Sequence, residues 1–152
     1  MKMKAVLTEV EKELLNRLTR LASLLGLNEA AGRIWGVLLL TGGSLSQKEI
    51  SKLTNYSLGI VSMNLSRLES LGLVKIVKRV GKKKFYAASS SLTDLFKNFV
   101  SLIADNHLEA LVNHLQNTIN SFDDHTKKNA EAILHESKKF KLFLKNLIEK
   151  LK

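Results

Sequence analysis

Three consecutive lysines, Lys82, Lys83 and Lys84, follow Gly81 and precede two aromatic residues, Phe85 and Tyr86. An ammonium group is a compact charge with three donors and no acceptor, suited to phosphate oxygens. More cations gather upstream. Between Leu45 and Lys84 stand nine of them, Lys48, Lys52, Arg67, Lys75, Lys78, Arg79 and the three lysines, against Glu49 and Glu69 alone. This section therefore carries seven of the formal net charge of +10. A surplus of that size points to a partner dense in negative charge, and nucleic acid and anionic membrane surfaces are the two candidates.

The residues that could do other chemistry are poorly placed for it. The histidines are His107, His114, His125 and His135. His107 and His114 lie seven apart, two helical turns or roughly 10 Å, too far to share a metal ion. The sequence contains no cysteine, which excludes disulfides, thiolate metal sites and cysteine nucleophiles. No zinc-protease helix, phosphate loop or nucleophile elbow occurs. The reading is therefore of a protein that is not an enzyme, with no catalytic residue, no metal site and no cofactor.

The elements that must position the cations follow from periodicity. Leu7, Val10, Leu14, Leu18, Leu21 and Leu25 recur in steps of three and four, the mark of one helix face. Gly26 stops that helix, and Asn28 caps a second that runs to about Thr41 and is apolar nearly all round. Its Gly32 and Gly36, one turn apart, let a neighbouring helix come close. Gly42-Gly43 breaks the chain, and Ser44-Leu45 suits a short strand. Ser46 and Glu49 form a capping box that opens a short helix ending near Asn55. A further helix covers about residues 57–71. Leu73 to Val80 reads as a strand, Gly81-Lys82-Lys83 as a turn, and Lys84 to Ala88 as the returning strand. Ser91 or Thr93 starts a long helix with a polar break at Asp105-Asn106, and a last helix begins near Asp124. In that last helix Ile133, Phe140, Leu144, Leu147 and Leu151 fall close to a heptad seam.

Two short helices, a tight turn and a basic hairpin make a winged helix-turn-helix arrangement, whose second helix enters the DNA major groove. On that helix Val61, Leu65 and Leu68 share the core face. The opposite face, at 100° per residue, holds Gly59, Met63, Ser66 and Ser70, flanked by Ser62 and Arg67. Small and hydroxyl side chains permit close approach to a duplex, and Met63 is the one large apolar residue expected there. Arg67 can bond a phosphate or a guanine edge. The expected DNA-binding set is Gln47, Lys48, Ser57, Gly59, Ser62, Met63, Ser66, Arg67, Arg79, Lys82, Lys83 and Lys84. The fold class expected is mainly α with a small β-hairpin, a winged domain flanked by N- and C-terminal dimerisation helices.

The segment GRIWGVLLL, followed by LSQKEISKLTNYSLGIVSMNLSRLESLGLVKIVKRVGKKKFY, resembles the GbsR branch of the MarR-like transcriptional regulators. Its most specific part is Tyr56-Ser57-Leu58-Gly59 with Val61-Ser62, Leu65, Leu68-Glu69 and Leu71-Gly72-Leu73-Val74. The resemblance covers Gly32 to Tyr86 well and the flanking helices in outline. It implies a homodimer that reads a pseudo-palindromic operator in double-stranded DNA, usually as a repressor. It also implies that the helices on either side of the winged domain build the dimer. The wing departs from the family pattern, which commonly mixes an acid with an arginine where this chain has Gly81-Lys82-Lys83-Lys84.

The expected division is residues 1–27 for an N-terminal dimerisation helix, 28–90 for the DNA-binding domain and 91–152 for C-terminal dimerisation helices. The seam residues would be Leu14, Leu18 and Leu21 at one end and Phe140, Leu144 and Leu147 at the other, since such stripes are exposed patches unless a partner covers them. Packing of the terminal helices on each other within one chain is the alternative. Some relatives are thought to sense quaternary amines, which leaves a small-molecule effector open. Trp35 could line such a pocket, or simply belong to the core. Two other classes stay in view. One is a winged-helix protein–protein adaptor; the other is a basic amphipathic protein at a membrane surface, for which Lys138 to Lys152 comes closest. The start Met1-Lys2-Met3-Lys4-Ala5, followed by Glu9, Glu11 and Glu13, is unlike a secretory signal, and no apolar run is long enough for a bilayer. A cytoplasmic protein with no membrane partner is the expectation.

Overall fold

A computed structural model describes residues 6–152. Among the described residues, seven α-helices and three strands run in the order α1 (Glu9–Leu24), α2 (Glu29–Thr41), β1 (Leu45–Ser46), α3 (Gln47–Thr54), α4 (Leu58–Ser70), β2 (Val74–Val80), β3 (Lys83–Ala88), α5 (Leu92–Ser101), α6 (Glu109–Thr118) and α7 (Asp124–Lys150). The chain divides into two units, residues 1–95 and 96–152.

Helix starts follow the capping chemistry in the sequence. Thr8 and Glu11 form a reciprocal capping box on α1, and Ser46 and Glu49 form another on α3. Asn28 accepts from the Ala31 amide at 2.8 Å to open α2. Ser91 and Asp94 bond each other at the start of α5, which selects Ser91 over Thr93 as the cap.

In the first unit α1 packs on α2, and the glycine pair explains how closely. A Cβ on Gly32 would stand 3.2 Å from the Ala22 Cβ, and one on Gly36 would stand 2.8 Å from a Leu15 methyl. The helices thus meet where Leu15, Thr19 and Ala22 face Gly32 and Gly36. The helix over residues 9–24 belongs to the same core as the winged elements. Its buried stripe lies beside the leucine stripe assigned to the dimer seam. Val10, Leu14 and Leu21 are exposed and Leu18 is half-buried, while the small residues Thr19 and Ala22 face the glycines. Thr19 is tolerated inside because its hydroxyl donates to the Leu15 carbonyl at 2.7 Å.

The sheet order is β1-β3-β2, antiparallel throughout. Leu45 and Tyr86, cross-strand partners, bury their side chains in the core with Ile50, Val61, Leu65, Leu68, Leu73 and Val74. Trp35 is fully buried in the same core, and its indole Nε1 has no hydrogen-bond partner.

In the second unit the polar break at Asp105-Asn106 is a π-helical segment, Leu102–Leu108, joining α5 to α6. Its wider turn buries Ala104 and Leu108 and leaves Asp105, Asn106 and His107 in solvent. Ala104 and Leu108 pack with Val100 and Leu144, and the Glu109 carboxylate pairs with Lys141. Leu144, expected in a dimer seam, is 6% exposed and is spent inside this unit. Phe140 stays exposed, as do Ile133, Leu142 and Phe143, and Leu147 is half-buried.

Asp123 caps α7. The Thr126 backbone amide, followed by the Thr126 hydroxyl, holds its carboxyl below the ordinary carboxylate value. A lowered folded-state pKa contributes stability above the unfolded-state value, and that contribution is lost as pH falls through the folded-state value. Asp123→Ala is therefore expected to lower the melting temperature at neutral pH, with a gap to the parent that narrows in acid below the ordinary carboxylate range. Thermal melts across a pH series check this; a gap constant down to the lowest pH would contradict the ionised cap.

Candidate nucleic-acid interface

The local sequence builds a reading head from α3, α4 and the β2–β3 hairpin. α3 ends at Asn55, which adopts a left-handed conformation at φ 61°, and the chain turns to Ser57. The Ser57 hydroxyl accepts from the Ile60 amide at 3.2 Å and so caps α4. Of the expected contact residues, Ser57 is thus engaged in helix capping and has its hydroxyl hydrogen left to offer a partner.

α4 buries Val61, Leu65 and Leu68, as its spacing predicts, and also Asn64. Asn64 escaped the apolar count because it is polar. It is accommodated at 3% exposure by donating its side-chain amide to the Ile60 carbonyl at 2.8 Å. The outer face presents Gly59, Ser62, Met63, Ser66 and Arg67, all exposed. Two further apolar residues, Leu58 and Ile60, are exposed at its first turn, so Met63 is not alone there.

The hairpin turn is shorter than the lysine run suggested. Val80 pairs with Lys83, which leaves Gly81 and Lys82 as a two-residue turn and places Lys83 in β3. Gly81 has φ 61° at the first central position, where type II′ turns require glycine. That register sets Lys78 opposite Phe85 and Arg79 opposite Lys84. The ammonium groups of Lys78 and Lys83 sit 5.6 and 5.3 Å from the centre of the Phe85 ring. Phe85 thus orders two wing cations through its π face. It was not among the expected residues; the cross-strand pair was legible only with the turn length known.

Ser46, Gln47, Lys48, Leu58, Lys82, Lys83 and Lys84 line one open cleft of about 440 Å³ between the start of α3, the start of α4 and the wing. Five of the expected DNA-binding residues are brought together there, and the Gln47 amide is set beside the Tyr86 hydroxyl at 3.5 Å. Arg79 is exposed further down the wing. Among the described residues, none of the nine cations between Leu45 and Lys84 has a carboxylate within ion-pairing distance. Their charge is therefore available to an external anion.

Trp35 lines none of the clefts described for this chain and is packed as core. Among the described residues no group of three or more His, Cys, Asp or Glu side chains could hold a metal ion.

No family model matches this sequence, and no curated protein matches it. A solved structure described as the crystal structure of a transcriptional regulator matches it in three dimensions with a TM-score of 0.70. The match covers 93% of this chain and 97% of that one, at 13% sequence identity. At that identity the likeness is one of fold: this chain has a mainly helical winged fold with a small antiparallel sheet, shared along nearly its whole length with that regulator.

Proposed function

We propose that this protein is a transcriptional regulator that binds double-stranded DNA in a sequence-specific way, as a homodimer and as a repressor. The observation that carries the reading is the cleft at the start of α4, where Lys48, Lys82, Lys83 and Lys84 converge with Leu58 beside the exposed face of that helix. Phosphates seated against those lysines would register α4 in the major groove, with Ser62, Met63, Ser66 and Arg67 toward the base edges. A regulator sharing this fold supports the same reading. The resemblance of residues 32–86 to the GbsR branch of the MarR-like regulators adds to it. Among the described residues no helix is long and apolar enough to cross a membrane, and the cytoplasm is the proposed compartment.

The homodimer is supported by apolar surface that the described chain leaves uncovered. Val10, Leu14, Leu21 and Leu24 are exposed along α1, and Ile133, Phe140 and Phe143 along α7. A second copy would bury both stripes and set two reading heads on one operator. Leu14→Glu with Leu21→Glu is expected to shift the protein toward monomer in sedimentation while leaving its circular dichroism unchanged, because neither side chain is in the core. An unchanged dimer would remove α1 from the interface.

The deciding experiment is binding to a labelled duplex from just upstream of the protein's own gene, against a random duplex, across a salt series. Tight, strongly salt-dependent binding that favours the genomic duplex is expected. Weak binding without preference would overturn the regulator reading in favour of an adaptor.

A further inference from the structure

The contact face of α4 is built from few chemical types, and this restricts which bases it can read. Asn64 is buried and donates to its own helix, the Ser57 hydroxyl accepts from the Ile60 amide, and the Ser70 hydroxyl donates to the Arg67 carbonyl at 2.7 Å. The exposed residues of α4 therefore include no side-chain amide, the group that pairs with adenine. Arg67 suits guanine. A serine hydroxyl both donates and accepts, so Ser62 and Ser66 discriminate little. Glu69, an acceptor for cytosine, stands in the last turn, whereas base edges meet the N-terminal part of a recognition helix.

What the first two turns do expose is apolar. Leu58 is 51% exposed and Met63 is 67% exposed, with Ile60 on the far flank. Gly59 precedes Met63 by one turn on the same face, and a Cβ there would meet nothing nearer than the Ser57 hydroxyl oxygen at 3.9 Å. The surface over Gly59 is thus open to a close approach. Leu58 shares its cleft with Lys48, Lys82, Lys83 and Lys84, so the patch has a cationic border. That border favours a polyanion over the apolar face of another protein. In the major groove the one apolar group on a base edge is the 5-methyl of thymine.

We infer that the exposed apolar residues of α4 read thymine. Met63 at the centre of the face and Leu58 at its edge pack on 5-methyl groups of A·T pairs in each half-site. The inference rests on the DNA reading above and names the bases that this face selects. Methionine suits the role, since its unbranched thioether conforms to a methyl group without strict geometry.

The full chain is first used to enrich a library of random duplexes, and the enriched duplex is then made with thymine or with deoxyuridine throughout. Uracil keeps every hydrogen-bonding group of thymine and lacks only the methyl. The thymine form is expected to bind about fifteenfold more tightly, from about fourfold for one buried methyl at each reading head of a dimer. Leu58→Ser with Met63→Ser should bring that ratio below about twofold, because the short hydroxylated side chains leave nothing apolar to meet the methyl. The salt dependence should stay as in the parent, since the lysines are untouched. Both replaced side chains lie outside the core, and circular dichroism checks that the fold is kept. Equal affinity of the parent for the two forms would overturn the inference and leave these residues for contact with a protein. A ratio retained by the double variant would also overturn it, assigning the preference to the deformability of the thymine duplex. Absence of any enriched sequence would overturn the sequence-specific reading itself, and the inference with it.

Discussion

Replacing Lys82, Lys83 and Lys84 together by glutamine is expected to lower affinity for any duplex by about a hundredfold at roughly 0.15 M salt, for each reading head engaged. The magnitude comes from counterion release. Each lysine that neutralises a phosphate contributes about 0.9 to the slope of log affinity against log salt, so three lost contacts flatten it by nearly three. All three side chains are exposed, and Gly81, which the II′ turn needs, is untouched. The structural penalty is then confined to the contact of Lys83 with Phe85, worth about 0.5–1 kcal/mol at an exposed site. The preference for one sequence over another should survive, since phosphates carry no base information. Fluorescence anisotropy across a salt series, on genomic and random duplexes, reads both quantities. A parent slope retained by the triple variant would show that the wing makes no phosphate contact.

Arg67→Ala should do the opposite. Arg67 lies on the flank of the exposed face of α4, has no ion-pair partner among the described residues and leaves the core face of Val61, Leu65 and Leu68 untouched. Alanine keeps the helix propensity, so folding is not the variable. A bidentate contact to a guanine edge is worth about 1–3 kcal/mol of discrimination, or roughly 5- to 150-fold. Affinity for the preferred duplex should fall by that factor while affinity for random duplex barely changes, and the preference at one base position should relax. Equal losses on both duplexes would reassign Arg67 to the phosphate backbone. The two variants together separate the residues that position the protein from the residue that reads.

The contrast between these side chains also shows which features of the chain are written locally. Capping boxes at Thr8/Glu11 and Ser46/Glu49 and the asparagine cap of α2 each involve residues within a few positions of one another. Spacing alone is enough to place such features. The same holds for the core face of α4 and for the clustering of charge between Leu45 and Lys84. The turn was misjudged by one residue because Lys82 and Lys83 are alike in type, and strand pairing alone distinguishes them.

The sequence by itself determined the order of elements, the core face of α4 and the excess of positive charge between Leu45 and Lys84. Only the tertiary structure decided which stripe of each long helix is core. On α1 the leucines at 14, 18 and 21 compete with Leu15, Thr19 and Ala22, and the second set wins because Gly32 and Gly36 let α2 come within contact of small side chains. On α7 Leu144 turns inward because the π-helical turn brings Ala104 and Leu108 to it, while Phe140 stays outside. Asn64 is buried because its own helix supplies an acceptor, the Ile60 carbonyl. In each case the deciding partner lies on another element or depends on local geometry, and periodicity along one helix carries no information about it.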